Sequence, residues 1–139
     1  MVNYQPAWGT LVNLDTRFWT PVPTGFEMTG FAEGLGWSLG ERVLMVAGEP
    51  VRVTVHVRWV WEFGDGGVGT FYVPGAPYPD AGVTHAYGVP AQQEMVRVTA
   101  QYTGVYQGVD LGVVVEKVSP AKGIAVLTAR AELVDPGNP

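Results

Sequence analysis

From Val51 to Phe63 an apolar side chain stands at every second position: Val51, Val53, Val55, Val57, Trp59, Trp61 and Phe63. The positions between them are mostly polar, Arg52, Thr54, His56, Arg58 and Glu62 among them. A period of two sustained over this length predicts an extended strand, or two strands joined by a bend, with one face buried. The pattern stops at Gly64-Asp65-Gly66. Glycine reaches positive φ without steric cost, and an aspartate between glycines can accept hydrogen bonds from nearby backbone N–H groups. Asp65 therefore reads as the anchor of a turn that ends the strand.

Turn residues divide much of the remaining chain into further extended runs, at residues 9–14, 42–47, 68–73, 95–106, 109–118 and 124–134. Short strands at this spacing predict an all-β sandwich or barrel. No window carries an i, i+3, i+4, i+7 apolar stripe free of Gly and Pro, so no helix beyond a turn or two is expected. Gly104 and Gly108 mark a hairpin connection, with 102–106 pairing against 111–115. In the last run Ala125, Leu127, Ala129, Ala131 and Leu133 alternate with Val126, Thr128, Arg130 and Glu132, which suits a terminal strand on a crowded sheet. Asp135-Pro136-Gly137 ends it.

The chain has 139 residues, 47% hydrophobic and 15% charged, a balance that favours one packed domain over disorder. Its eight Lys and Arg are scattered and the formal net charge is -5, so no footprint for nucleic acid or an anionic membrane is present. Without cysteine there is neither a disulfide framework nor a thiolate metal site. No run is long and apolar enough for a membrane helix, and the start lacks the pattern of a signal peptide.

Three segments are expected. Residues 1–40, rich in aromatics but weakly periodic, read as an extended arm that packs on the sandwich or on a neighbour; 41–135 form the sandwich; 136–139 are a tail. Trp8, Phe18, Trp19 and Trp37 in the arm, and Tyr78 in the proline-stiffened 74–82 loop, are candidate interface residues.

Chemistry finds few reagents. The only histidines, His56 and His85, carry no metal-ligand spacing. Asp65, Asp80 and Asp110, the oxygen donors that calcium would need, are not clustered in sequence. Ser38 and Ser119 lack a nucleophile-elbow context, and the glycines of 64–69 lack the Lys-Ser/Thr ending of a phosphate loop. Glu62 and Asp65 read as a solvated edge carboxylate and a turn anchor, not as a glycosidase pair. No catalytic, cofactor or metal residue is expected.

Trp61-Glu62-Phe63-Gly64-Asp65-Gly66, followed later by Thr84-His85-Ala86-Tyr87, resembles the two signatures of the polycystic kidney disease (PKD) type of immunoglobulin-like domain. Those signatures are a strand ending in W-[DE]-F-G-D-G and a later H-x-Y that opens the next core strand. Val12-Asn13-Leu14, Phe18-Trp19 and the segment 74–79 extend the likeness to PKD-containing proteins of actinobacteria and their phages, whereas Pro90-Ala91-Gln92-Gln93-Glu94-Met95 departs from the usual P-G-x-Y. The resemblance implies an immunoglobulin-like β-sandwich in which Gly64, Asp65, Gly66, His85 and Tyr87 are structural. A tyrosine placed as Tyr87 is, before the run Val96, Val98, Ala100, Tyr102, can tie its hydroxyl to backbone as a tyrosine corner does.

The expected function is that of a non-catalytic structural or interaction module with protein partners. The leading form is a subunit of a phage virion, since the chain starts at a methionine without a leader and is sparing in charge. The alternatives are an exported cell-surface adhesion module of a Gram-positive bacterium and a carbohydrate-binding accessory domain. In the virion form, removing residues 1–25 is expected to block incorporation while leaving a folded monomer.

Overall fold

A computed structural model describes residues 1–6, 8–21, 30–32, 36–75 and 82–128, which form strands and turns and no helix. Two long antiparallel strands, β6 (Glu49–Glu62) and β9 (Ala91–Tyr106), run side by side through its middle with Trp59 opposite Ala100 and Trp61 opposite Val98. The alternation that defines β6 sets its faces. Val53, Val55, Val57, Trp59, Trp61 and Phe63 are all at most 5% exposed.

β5 (Gly36–Val46) pairs with β6 through the two-residue turn Ala47-Gly48, and β10 (Val109–Val118) pairs with β9 through Gln107-Gly108. Each turn places both central residues at positive φ, 51° and 82° in the first and 49° and 78° in the second. That combination matches the right-handed twist of the flanking strands and makes a tight hairpin. Val115 lies opposite Tyr102, as the sequence predicts for this hairpin, but at the turn Tyr106 faces Val109 and not Leu111, the difference being taken up by irregularities between Asp110 and Val115. β4 (Gly30–Ala32) lies on β5, β7 (Val68–Phe71) on β6, and β11 (Lys122–Leu127) on the first part of β9. β2 (Thr10–Leu11) runs parallel to the end of β11.

A second, three-stranded sheet of β1 (Asn3–Gln5), β3 (Asp15–Trp19) and β8 (Val83–Ala86) packs over one end of the large one, giving a sandwich-like all-β arrangement. Phe18 of β3 is 0% exposed and meets the ring of Trp61 at 5.7 Å and that of Phe63 at 5.2 Å. Val2, Val83 and Tyr87 complete this core with Val96, Val98, Ile124 and Val126 from the large sheet.

Three expectations change. The H-x-Y stretch does not open the following core strand: His85 belongs to β8, paired with Thr16 in the small sheet, and β9 starts at Ala91, four residues before the expected boundary at Met95. Phe18 is a core residue of its own chain and not a contact surface, because the small sheet presses it between Trp61 and Phe63. The strand expected over 9–14 is only Thr10–Leu11, and the longer Asp15–Trp19 follows it. With Val2 and Phe18 inside the core, loss of residues 1–25 removes part of the fold. The stretch beyond Thr128, including the end of the expected last strand and the 136–139 tail, lies outside the described residues.

Candidate functional site

β6 delivers its last buried ring, Phe63, to the rim of the sandwich and then reverses. Phe63 N–H donates to the Gly67 carbonyl at 3.0 Å, and Gly67 N–H donates to Asp65 Oδ1 at 2.9 Å, so the carboxylate anchors the turn as its position between glycines predicts. Gly64 has φ 94°, and a β-carbon there would stand 2.8 Å from both N and O of Met95, so no other residue fits.

The second carboxylate oxygen of Asp65 takes up a contact with no local sequence signal. Asp65 Oδ2 lies 2.7 Å from His85 Nε2. An ionised carboxylate can only accept, so Nε2 carries the proton and donates it. The imidazole lies flat on Phe63, with ring centroids 4.2 Å apart and planes 2° from parallel, and meets Tyr87 edge-on at 4.8 Å. Tyr87 then donates its hydroxyl to the Phe63 carbonyl at 2.8 Å. Aspartate and phenylalanine from the large-sheet turn thus interlock with histidine and tyrosine from the small-sheet strand.

Burial opposes ionisation of Asp65, but the hydrogen bonds from His85 and Gly67 N–H outweigh it and hold the carboxyl below its ordinary value. Burial, reinforced by the charges of Asp65 and Glu94, pushes the Tyr87 phenol well above its usual range, so it stays a neutral donor. A carboxylate bonded to an imidazole is also one half of an acyl-transfer triad, which needs a nucleophile beside the ring. Here the Tyr87 hydroxyl is committed to the backbone, Ser38 is across β5 from this corner opposite His56, and Ser119 follows β10 with its N–H on the Val98 carbonyl. Among the described residues no group of three or more His, Asp or Glu is placed to hold a metal ion, and no helix is long and apolar enough to cross a membrane.

The candidate contact residues scatter. Trp8 is 58% exposed; Trp19 and Trp37 are half-buried, Trp37 packing against the core; Tyr78 lies outside the described residues. The larger concentration of exposed apolar surface lies on two strands that were expected only as extended runs: Val43, Met45 and Val46 of β5, and Val109, Leu111, Val113, Val114, Val115 and Val118 of β10. No strand of the small sheet pairs with β5 or β10.

His56 and Thr103 sit opposite each other on the far face of β6 and β9, 6% and 1% exposed, and neither His56 Nδ1 nor Thr103 Oγ1 has a hydrogen-bond partner among the described residues. Burial lowers the His56 pKa against the raising effect of Asp110. Comparison of the chain with protein families, characterised proteins and solved structures finds no match.

Proposed function

We propose that the protein is a non-catalytic structural and interaction module of a multi-protein assembly. The observation that carries this reading is how the molecule deploys its most reactive-looking side chains. Asp65, His85 and Tyr87 spend their hydrogen bonds tying two sheets together, while two hairpins project apolar side chains to solvent. Exposed apolar residues gathered on sheet edges favour contact with another protein surface.

The PKD-type, immunoglobulin-like form of the sandwich is part of the same proposal. It is supported by the Asp65 turn, a local device that the resemblance implies; the Tyr87 hydroxyl also bonds a backbone carbonyl, though at Phe63, 24 residues away, and not a few residues upstream as in a tyrosine corner. A phage virion is the assembly we favour, on the low charge of the chain, 15% of residues.

The test is mass spectrometry of gradient-purified particles from the source culture, with immunogold electron microscopy using an antibody to this chain. Recovery in fixed proportion to the major particle proteins, with label on the particles, supports the proposal. Recovery in the cell-wall fraction alone replaces it with the exported adhesion module.

A further inference from the structure

Two edges of the long sheet that lack a described partner, those of β5 and β10, flank a common cleft. Beyond Ser38 the outer edge of β5 is unpaired among the described strands, and β10 pairs only with β9. The end of the sheet made by β5, β6, β9 and β10 curls on itself. A β-carbon built on Gly104 of β9 would touch Leu44 of β5 at 3.5 Å, Val53 of β6 at 3.6 Å and Val114 of β10 at 3.7 Å, so side chains of the two outer strands converge over an inner one. Between them runs a cleft of about 360 Å³, floored by Val55 and Tyr102, walled by Leu44 and Val115, and bordered by Arg42 and Lys117.

We propose that this cleft receives one extended segment of a different protein chain, apolar at alternate positions and bearing a carboxylate, which adds to the sheet between β5 and β10. The proposal deepens the assembly reading and rests on it. Unpaired strand edges offer rows of backbone donors and acceptors that an added strand satisfies, while alternate side chains enter the pockets beneath. Charge selects the occupant. The chain as a whole carries -5, yet the described lining of the cleft holds no carboxylate, and while Arg42 already donates to the Glu41 carbonyl, Lys117 stands at the border to meet an added charge. The Lys117 amino group lies 5.7 Å over the Tyr102 ring, beside apolar walls that weaken screening of an added ion pair.

A second copy of this chain fits less well. The regular part of the β10 edge is Val115–Val118, paired without interruption to β9. Two copies joined there about a two-fold axis must centre on Glu116 or on Lys117, and like charges set directly opposite destabilise a strand pair.

The test uses the isotope-labelled full chain and blocked nine-residue peptides that alternate valine with threonine around a central glutamate, a central lysine, or prolines at every second position. The glutamate peptide is expected to shift the amide signals of 41–46 and 113–118 and to slow their hydrogen exchange. It should bind about fivefold or more tightly than the lysine peptide, the difference expected of one partly exposed charge pair. The proline peptide should not bind, since it cannot donate along an edge. Lys117→Glu, at an exposed position, should reverse the order of the two charged peptides. No shift at millimolar peptide, shifts confined to other strands, or equal binding of all three peptides overturns the proposal. So does self-association of the free protein in sedimentation that Val115→Glu abolishes, because the occupant is then a second copy. Failure of the peptides to dock while the chain is still found in particles sinks the cleft alone; docking by a chain absent from particles sinks the particle reading alone.

Discussion

The Tyr87 hydroxyl donates to the carbonyl of Phe63 at 2.8 Å, joining residues that are 24 positions apart in sequence and that leave opposite sheets of the molecule. The bond is buried, so its loss leaves a carbonyl with neither water nor protein to satisfy it. Tyr87→Phe is expected to cost about 1–3 kcal/mol, the range for stranding one buried acceptor. Urea unfolding checks this, and an unchanged midpoint would show that the corner contributes nothing.

The glycines of the Asp65 turn should differ in tolerance. Gly64→Ala brings a β-carbon within 2.8 Å of the Met95 backbone in addition to a φ of 94°, whereas Gly66, with φ 90°, has nothing within 4 Å. The first substitution is expected to cost more than about 3 kcal/mol and the second about 1 kcal/mol, the cost of the backbone conformation alone. Equal losses would mean that the approach to Met95 is not a constraint.

Acid should loosen the same corner. The folded protein holds Asp65 below its ordinary value of 3.8, so its ionised form contributes stability that is complete above that value and is lost as pH falls through the depressed one. Asp65→Asn is expected to lower stability near neutrality and to flatten the acid limb below pH 4, where the wild-type carboxyl itself becomes protonated. Parallel pH–stability curves for the two proteins would exclude this role.

His56 acts in a different window. Its folded pKa is depressed from 6.5 by burial, so the neutral ring is favoured in the fold. The stability this gives is present above 6.5 and declines as pH falls below it, where the unfolded chain binds the proton first. His56→Leu is expected to remove the decline. At its neighbour, Thr103→Val replaces a buried, unpartnered hydroxyl by a methyl group of similar size and is expected to raise stability by about 1 kcal/mol. A loss on Thr103→Val would reveal a hydrogen bond there in solution.

Phe18 tests whether the first residues belong to the core. Phe18→Ala opens space between Trp61 and Phe63 and is expected to cost about 3–5 kcal/mol. Removal of residues 1–21 should unfold the chain, read as loss of near-ultraviolet circular dichroism. A cooperative transition in the truncated protein would return these residues to the status of a detachable arm.

Strands that bury a continuous apolar face were legible in the sequence. The alternation of β6, the glycine turn after Phe63 and the β9–β10 hairpin each carry a local signature of period or turn chemistry, and the Asp65 carboxylate bonds backbone as that chemistry requires. β3 was hidden because two of its inward neighbours are threonines. Thr16 is 0% exposed and satisfies its hydroxyl on Thr10 at 2.6 Å, so a polar letter occupies a core position and breaks the pattern. β8 is only Val83–Ala86, too short to show a period. The pairing of His85 with Asp65 depends on β3 holding β8 against the turn, a tertiary relation for which the chain offers no spacing rule. Exposure of the β10 valines depends on how far the second sheet extends, which no single strand's sequence encodes.

β9 holds β11 along its first part and β10 along its second on one edge, and β6 along the other. One uninterrupted strand therefore spans both the aromatic end and the projecting hairpins, leaving no seam at which the halves could melt separately. A load applied along β9 from the Gln107-Gly108 tip is shared by its ladders to β6 and β11, which run the length of the strand as far as Ala91.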